Sequence, residues 1–250
     1  MSQRIKGILF DLGDTLVDFG HLKTGKLFRA GSLLAYEYLK NLGKKIPGKW
    51  WYCFRQKYAI RLNYLKSKFT RREFNSLELL MDLAEEMGCT LSHDEAMDVA
   101  TLFYKPVTTQ ARTEPGLAEL LGRLRQSNLT LGIVSNTFIP GEVLDRHLEQ
   151  LNLLQHLPHR VYSVDSGIRK PDKRIFANAL NKAGLLPQET LFVGDMYRKD
   201  VRGSNRAGMN SVLIRKNQKG RLLFFRRKAD HVISRLAELE PLVASYNDHS

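Results

Sequence analysis

Apolar residues along the chain change their spacing twice, near residue 20 and near residue 113. Ile5-Lys6-Gly7-Ile8-Leu9-Phe10 is a strand-like run that stops at Asp11. Residues 21–112 then carry helical spacing and no strong strand signal. Leu27, Leu34, Tyr38 and Leu42 space out one helix, and Trp51, Phe54, Tyr58 and Leu62 another. Thr70-Arg71-Arg72-Glu73 and Ser92-His93-Asp94-Glu95 have the pattern of capping boxes that open two more helices. Glu114-Pro115-Gly116 closes this stretch.

Beyond it the period alternates. A helix over 116–127 leads to the strand Leu129-Thr130-Leu131-Gly132-Ile133-Val134, and a helical stretch over 141–152 to Val161-Tyr162-Ser163-Val164. A helix over 172–183 leads to Thr190-Leu191-Phe192-Val193, and one near 199–207 to Ser211-Val212-Leu213-Ile214. His231-Val232-Ile233 and a last helix from Ser234 complete the chain. Alternation of this kind predicts an α/β fold, a doubly wound parallel sheet with crossover helices on both faces. The core is expected over residues 1–19 and 113–250, with a helical domain inserted over 20–112.

Composition changes this picture little. The chain has 250 residues, 43% of them apolar and 26% charged, which suits a soluble globular protein rather than a disordered one. No apolar run reaches the length of a membrane span, no signal-peptide pattern opens the chain, and the two cysteines, Cys53 and Cys89, read as packed thiols. These features predict a cytoplasmic protein with no membrane partner. The histidines show no metal-ligand spacing.

Charge is more informative, because it is uneven. Lys and Arg total 39 against 26 Asp and Glu, a net of +13. Residues 21–72 hold 14 basic residues and a single acid, Glu37, so the excess resides there. Three readings fit: solvated helix faces, a positive field over a site that handles an anion, or a nucleic-acid surface. Trp50-Trp51-Tyr52 with Phe54 and Tyr58 could stack bases beside those charges, but helical spacing favours their packing into the core of the inserted domain. Residues 215–228 hold seven basic residues and no acid, including Arg226-Arg227-Lys228, and read as a solvated loop.

Ligands of an open parallel sheet bind beyond the carboxyl ends of its strands. Residues at those ends are Asp11 with Gly13, Asp14 and Thr15; Ser135 with Asn136; Lys170 before Pro171; and Asp195 with Asp200. A carboxylate, a hydroxyl, an ammonium and further carboxylates form an inventory suited to covalent phosphoryl transfer. Each feature alone also fits a turn, a loop start, a surface lysine or a helix cap. Their joint occurrence in this order is what carries weight.

In that order, Phe10-Asp11-Leu12-Gly13-Asp14-Thr15-Leu16, Ile133-Val134-Ser135-Asn136, Lys170-Pro171-Asp172 and Phe192-Val193-Gly194-Asp195 with Asp200 resemble the four motifs of the haloacid dehalogenase-like (HAD) hydrolase superfamily. The inserted helices resemble its C1 type of cap. The resemblance implies that Asp11 is a nucleophile forming an aspartyl-phosphate and that Mg2+ binds Asp11, the Gly13 carbonyl, Asp195 and Asp200. It also implies that Ser135 binds the transferring phosphoryl group with the Asn136 backbone nearby, that Lys170 neutralises charge there, and that Thr15 supports the loop. The substrate would be a small phosphate ester.

One position departs from the pattern. Phosphatases of this family usually carry a second aspartate two residues after the nucleophile, as general acid and base, and here that position is Gly13. Asp14 could substitute, Asp18 on the following flap could, or the protein could be slow or catalytically poor. Dehalogenases of the superfamily also lack that aspartate and need no metal. The acids at 195 and 200 favour a cation, and hence phosphoryl transfer, because clustered carboxylates without a counterion repel.

Overall fold

Strand β1 (Gly7–Phe10) is buried along its whole length, as an uninterrupted apolar run at the centre of a parallel sheet must be. In the computed structural model, which describes residues 4–20, 24–70, 72–216 and 229–248, it lies in a six-stranded, all-parallel sheet. The other strands are β4 (Thr130–Ser135), β5 (His159–Tyr162), β6 (Thr190–Gly194), β7 (Asn210–Ile214) and β8 (His231–Ile233), in the order β5-β4-β1-β6-β7-β8. The expected α/β doubly wound fold is borne out. The short strands β2 (Val17–Asp18) and β3 (Arg112–Thr113) pair antiparallel, so the two links between the sheet and the inserted helices run side by side.

Alternation along β1 divides the core. Leu9, with Val134 and Phe192, packs against Ile175, Phe176 and Leu180 of α8 (Lys173–Ala183). Ile8 and Phe10, with Ile133 and Val193, face the opposite side. There lie α5 (Leu117–Gln126), α6 (Gly141–Gln150) and α10 (Leu239–Asp248). The crossovers thus cover both faces of the sheet, burying the central strands β1 and β6 completely and leaving the edge strands β5 and β8 half-buried.

Four helices precede the second half of the sheet: α1 (Thr24–Asn41), α2 (Lys49–Thr70), α3 (Ser76–Glu86) and α4 (His93–Thr108). α1 packs chiefly on α4. The approach is close enough that a Cβ at Gly31 would collide with the Phe103 backbone, so this crossing needs glycine. Ser92 and Glu95 form the expected capping box at the start of α4.

Several local expectations need correcting. Thr70 ends α2 instead of capping a helix, because the chain turns there and α3 is capped by Asn75, whose side chain accepts the Leu77 and Glu78 N–H groups. Glu73 is buried against Arg169. The strand expected at 161–164 begins at His159 and ends at Tyr162, since Ser163 opens the helical turn α7 (Ser163–Ser166) and its Oγ accepts the Thr137 N–H at 2.9 Å. The helix near 199–207 is a π-helical turn, Tyr197–Val201, running into α9 (Arg202–Arg206).

The aromatic run is the largest correction. α2 buries Tyr52, Gln56, Ile60 and Ser67, whereas Trp50, Trp51, Phe54 and Tyr58 are exposed. The helix has two apolar faces, and the one with smaller and polar residues faces inward. Of the stripe expected on α1, Leu27 is buried, whereas Leu34 is exposed, as is Leu42 just past the helix end; Ser32, Ala35, Tyr36 and Leu39 take the other inward positions. Apart from Arg215 and Lys216, the basic loop expected at 215–228 lies outside the described residues.

Candidate active site

Neighbouring strands β4, β1 and β6 bring Ser135, Asp11 and Asp195 to one edge of the sheet. The Asp11 N–H donates to the Val193 carbonyl at 2.8 Å, which extends the β1–β6 pairing to the last residue before the loop. Asp11 is thus fixed by backbone and presents its carboxylate beyond the strand ends.

Lys170 joins the rim from the next crossover. Its Nζ donates to Asp11 Oδ1 at 2.7 Å and lies 2.8 Å from Asp200 Oδ1. Burial alone would lower its pKa, but the two carboxylates outweigh burial and hold it above the ordinary lysine value, so the ammonium stays charged. Its backbone is clamped by Asn136, whose Oδ1 accepts the Lys170 N–H at 2.7 Å and whose Nδ2 donates to the Lys170 carbonyl at 3.0 Å. Asn136 thus braces the lysine with its side chain.

Asp200 is buried, and its Oδ2 accepts the Met196 N–H at 2.9 Å. The carboxylate lies so close to β6 that any Cβ at Gly194 would overlap it, which explains the Gly194-Asp195 sequence. Asp195 is pushed up to about 7, first by burial and then by Asp11, Asp200 and Asp14, with Lys170 opposing. Burial also raises Asp200.

Asp11, Asp195 and Asp200 each offer a ligand oxygen, all within 4.8 Å of one another. Three carboxylates against one lysine leave an excess of negative charge, and hard oxygen donors suit a hard divalent cation. The donor set therefore fits a metal ion of the Mg2+ class.

The remaining expected residues sit around this cluster. Ser135 is buried at the end of β4. Thr15 is fully buried, its Oγ1 has no hydrogen-bond partner among the described residues, and its carbonyl accepts from Lys216 Nζ. Gly13 is half-buried and bridged to Val17. Asp14 is exposed, with φ 58° and its N–H on the Val17 carbonyl at 2.7 Å. Asp18 accepts the Gly20 N–H at 2.7 Å. Among the described residues, no hydrogen bond or ion pair joins Asp14 or Asp18 to the cluster, although Asp14 is near enough to raise Asp195.

Two features escaped the sequence. Lys216 lies two residues past β7 and faces Glu114, Asp18, Asp14 and Asp195, and its pKa is lowered by burial. The strand-end rule, extended to β7, points to it. Arg169 pairs with buried Glu73, whose Oε2 also accepts from Ser163 Oγ at 2.7 Å, and Arg169 donates to Ser67 Oγ at 3.2 Å. This network ties the α2–α3 link to the residue next to Lys170. Its partners are 96 residues apart in sequence, and no spacing announces it.

The chain resembles proteins of known kind along nearly its whole length. Residues 5–208 match the family of haloacid dehalogenase-like hydrolases. A glyceraldehyde 3-phosphate phosphatase from Pyrococcus furiosus is 28% identical over 240 residues, 95% of this chain and 92% of that protein. Among solved structures, a 2-haloacid dehalogenase from Pseudomonas syringae superposes with a TM-score of 0.65 at 22% identity, covering 97% of this chain and 99% of that one. A HAD phosphatase from Thermococcus onnurineus does so with a TM-score of 0.60 at 23% identity, covering 96% and 98%. At those identities the two structures speak for the fold.

Proposed function

The chain belongs to the haloacid dehalogenase-like hydrolase family, and within it we propose a phosphatase that hydrolyses a small phosphate monoester through an aspartyl-phosphate on Asp11. The observation that supports this most is Lys170 set between Asp11 and Asp200, with Asp195 completing an acid cluster. A charged ammonium there pairs with the Asp11 carboxylate and offers a donor to the equatorial oxygens of a transferring phosphoryl group. Mg2+, held by Asp11, Asp195, Asp200 and the Gly13 carbonyl, would supply charge neutralisation and orientation of the phosphate.

The remaining steps belong to the chain's own residues. The Asp11 carboxylate attacks phosphorus as the P–O bond to the leaving group breaks, and the departing alkoxide takes a proton from solvent. Water then attacks phosphorus and gives up a proton to solvent, and the bond from phosphorus to Asp11 breaks to release inorganic phosphate. Ser135 and the Asn136 backbone hold the phosphoryl oxygens, and Thr15 supports the loop after Asp11. The four helices over residues 20–112 act as a cap that excludes water and selects the substrate. Because Gly13 stands where an acid would protonate the leaving group, with Asp14 on a left-handed backbone at the surface, the enzyme is a slow one.

The test is phosphate release from an aryl phosphate and a panel of phosphate esters including glyceraldehyde 3-phosphate, with Mg2+ or with chelator. Mg2+-dependent release that disappears in Asp11→Asn is expected; release that survives the substitution would overturn the nucleophile assignment. Gly13 is the one feature that favours a second reading, metal-independent dehalogenation of a carboxylate substrate. Halide release from a 2-haloacid, unaffected by chelator and without phosphatase activity, would establish it.

A further inference from the structure

α2 buries one face and leaves an apolar stripe on the opposite one. Trp50, Trp51, Phe54 and Tyr58 form its first half, with Trp50 75% exposed. Leu62, Leu65 and Phe69 continue it to the end of the helix, with Phe69 87% exposed. At 100° per residue these positions fall within about 120° of arc and span about 29 Å. Single exposed apolar side chains are ordinary; a contiguous row along one helix marks an interaction surface.

The borders of the stripe are basic. Helical geometry places Lys57, Arg61 and Lys68 along one edge and Arg55 and Lys66 along the other, and α2 contains six basic residues and no acid. Arg55 is paired with Glu86, and the others named are exposed. Broad apolar residues between long cationic side chains form an interfacial helix: the apolar row enters the acyl boundary while Lys and Arg extend to the headgroups. The charge complement is an anionic lipid surface.

Other occupants fit less well. A second copy laid face to face would bring cationic borders together with no acid on either helix to answer them. For a nucleic acid, the rings are turned toward each other: Trp50 and Phe54 stack at 5.4 Å and 6°, and Phe54 and Tyr58 at 6.3 Å and 13°. Leu62 and Leu65 offer a base no π-face.

We propose that the outer face of α2 docks the protein on membrane surfaces that carry anionic lipids, without spanning them. No helix among the described residues is long and apolar enough to cross a membrane. Docking of this kind departs from the expectation of no membrane partner, which rested on the absence of a spanning run, and it does not depend on the phosphatase reading.

The test uses the full chain with vesicles of phosphatidylcholine alone or mixed with phosphatidylserine. Flotation and tryptophan fluorescence read it directly, because Trp50 and Trp51 are the only two tryptophans in the chain. Flotation with the anionic vesicles and a blue-shifted emission are expected, with weak binding to the neutral ones. Phe54→Ser with Phe69→Ser, and separately Lys57→Glu with Arg61→Glu, should each reduce binding about tenfold or more, while the unfolding midpoint stays nearly unchanged. The proposal is overturned by absence of flotation and of the emission shift, or by variants that bind as well as the parent. It is equally overturned by a solution dimer that the Phe54 and Phe69 changes dissociate, or by binding to single-stranded RNA without binding to vesicles.

Discussion

The rim of the sheet and the outer face of α2 invert the usual distribution of side chains in opposite ways. At the rim, the ionisable side chains of Asp11, Lys170 and Asp200 are buried and paired with one another, and the Asn136 side chain braces the lysine backbone. On α2, rings and aliphatic side chains stand in water while the cations beside them are solvated. Neither arrangement lowers the energy of the isolated fold: buried charges cost desolvation, and exposed apolar area forgoes burial. The two proposals give each a use, a phosphate and dication at the rim and an apolar, anionic surface against α2.

Asp11→Asn breaks the rim side of this comparison most severely. It keeps shape and a hydrogen-bond acceptor for Lys170 but removes the attacking oxygen's charge. Turnover of an aryl phosphate should fall by about 10⁴-fold or more, the scale at which loss of a nucleophile acts, with the unfolding midpoint nearly unchanged. A comparable fall in the unfolding midpoint would mean that Asp11 is mainly structural.

Two adjacent residues test the helix side. Tyr52 is 2% exposed and Trp51 47%. Tyr52→Ala should destabilise the protein by about 3–5 kcal/mol, as aromatic truncation in a core does. Trp51→Ala should stay within about 0.5 kcal/mol of the parent. Denaturant unfolding of the two variants settles which face of α2 is packed; equal losses would refute the exposed stripe.

The same contrast explains what the sequence discloses. A strand such as Ile8-Leu9-Phe10 is apolar on both faces and buried on both, so periodicity leaves no choice of side, and Asp11, Asp195 and Ser135 follow at the strand ends. A helix with two apolar faces does leave a choice. Spacing selects Trp51, Phe54, Tyr58 and Leu62 as readily as Tyr52, Gln56 and Ile60, and only the packing of α2 on α1 and α3 decides. Glu73 shows a second limit: a Thr-x-x-Glu pattern is local, whereas its partner Arg169 comes from the far side of the fold.

Gly13→Asp sharpens the rim side. A Cβ at Gly13 would meet only Phe19, at 3.4 Å, which is ordinary contact. If the missing acid limits the rate, turnover should rise by about 10²-fold, and its pH profile should gain a limb from the new carboxyl. An unchanged rate would place leaving-group protonation with Asp14, Asp18 or water.

The smallest effect tests the seam where the inserted helices meet the core. His147 of α6 is buried, with Nδ1 3.1 Å from the Tyr104 hydroxyl of α4. Burial lowers its pKa below the ordinary value of 6.5, so the folded protein holds the ring neutral. The unfolded chain takes up a proton as pH falls through 6.5, while the folded chain resists until its lower pKa is reached. His147 therefore contributes nothing adverse above pH 6.5, and stability is lost progressively below it. The unfolding midpoint should accordingly fall as pH drops below 6.5. His147→Gln should flatten this part of the profile, whereas a substitution at half-buried His231 in β8, whose pKa burial also lowers, should leave any seam-specific change intact. Hydrogen exchange of α4 measured at pH 7.5 and pH 5.5 separates the two. If protonation of His147 loosens the seam, α4 amides lose protection relative to those of β1 in the parent and keep it in His147→Gln.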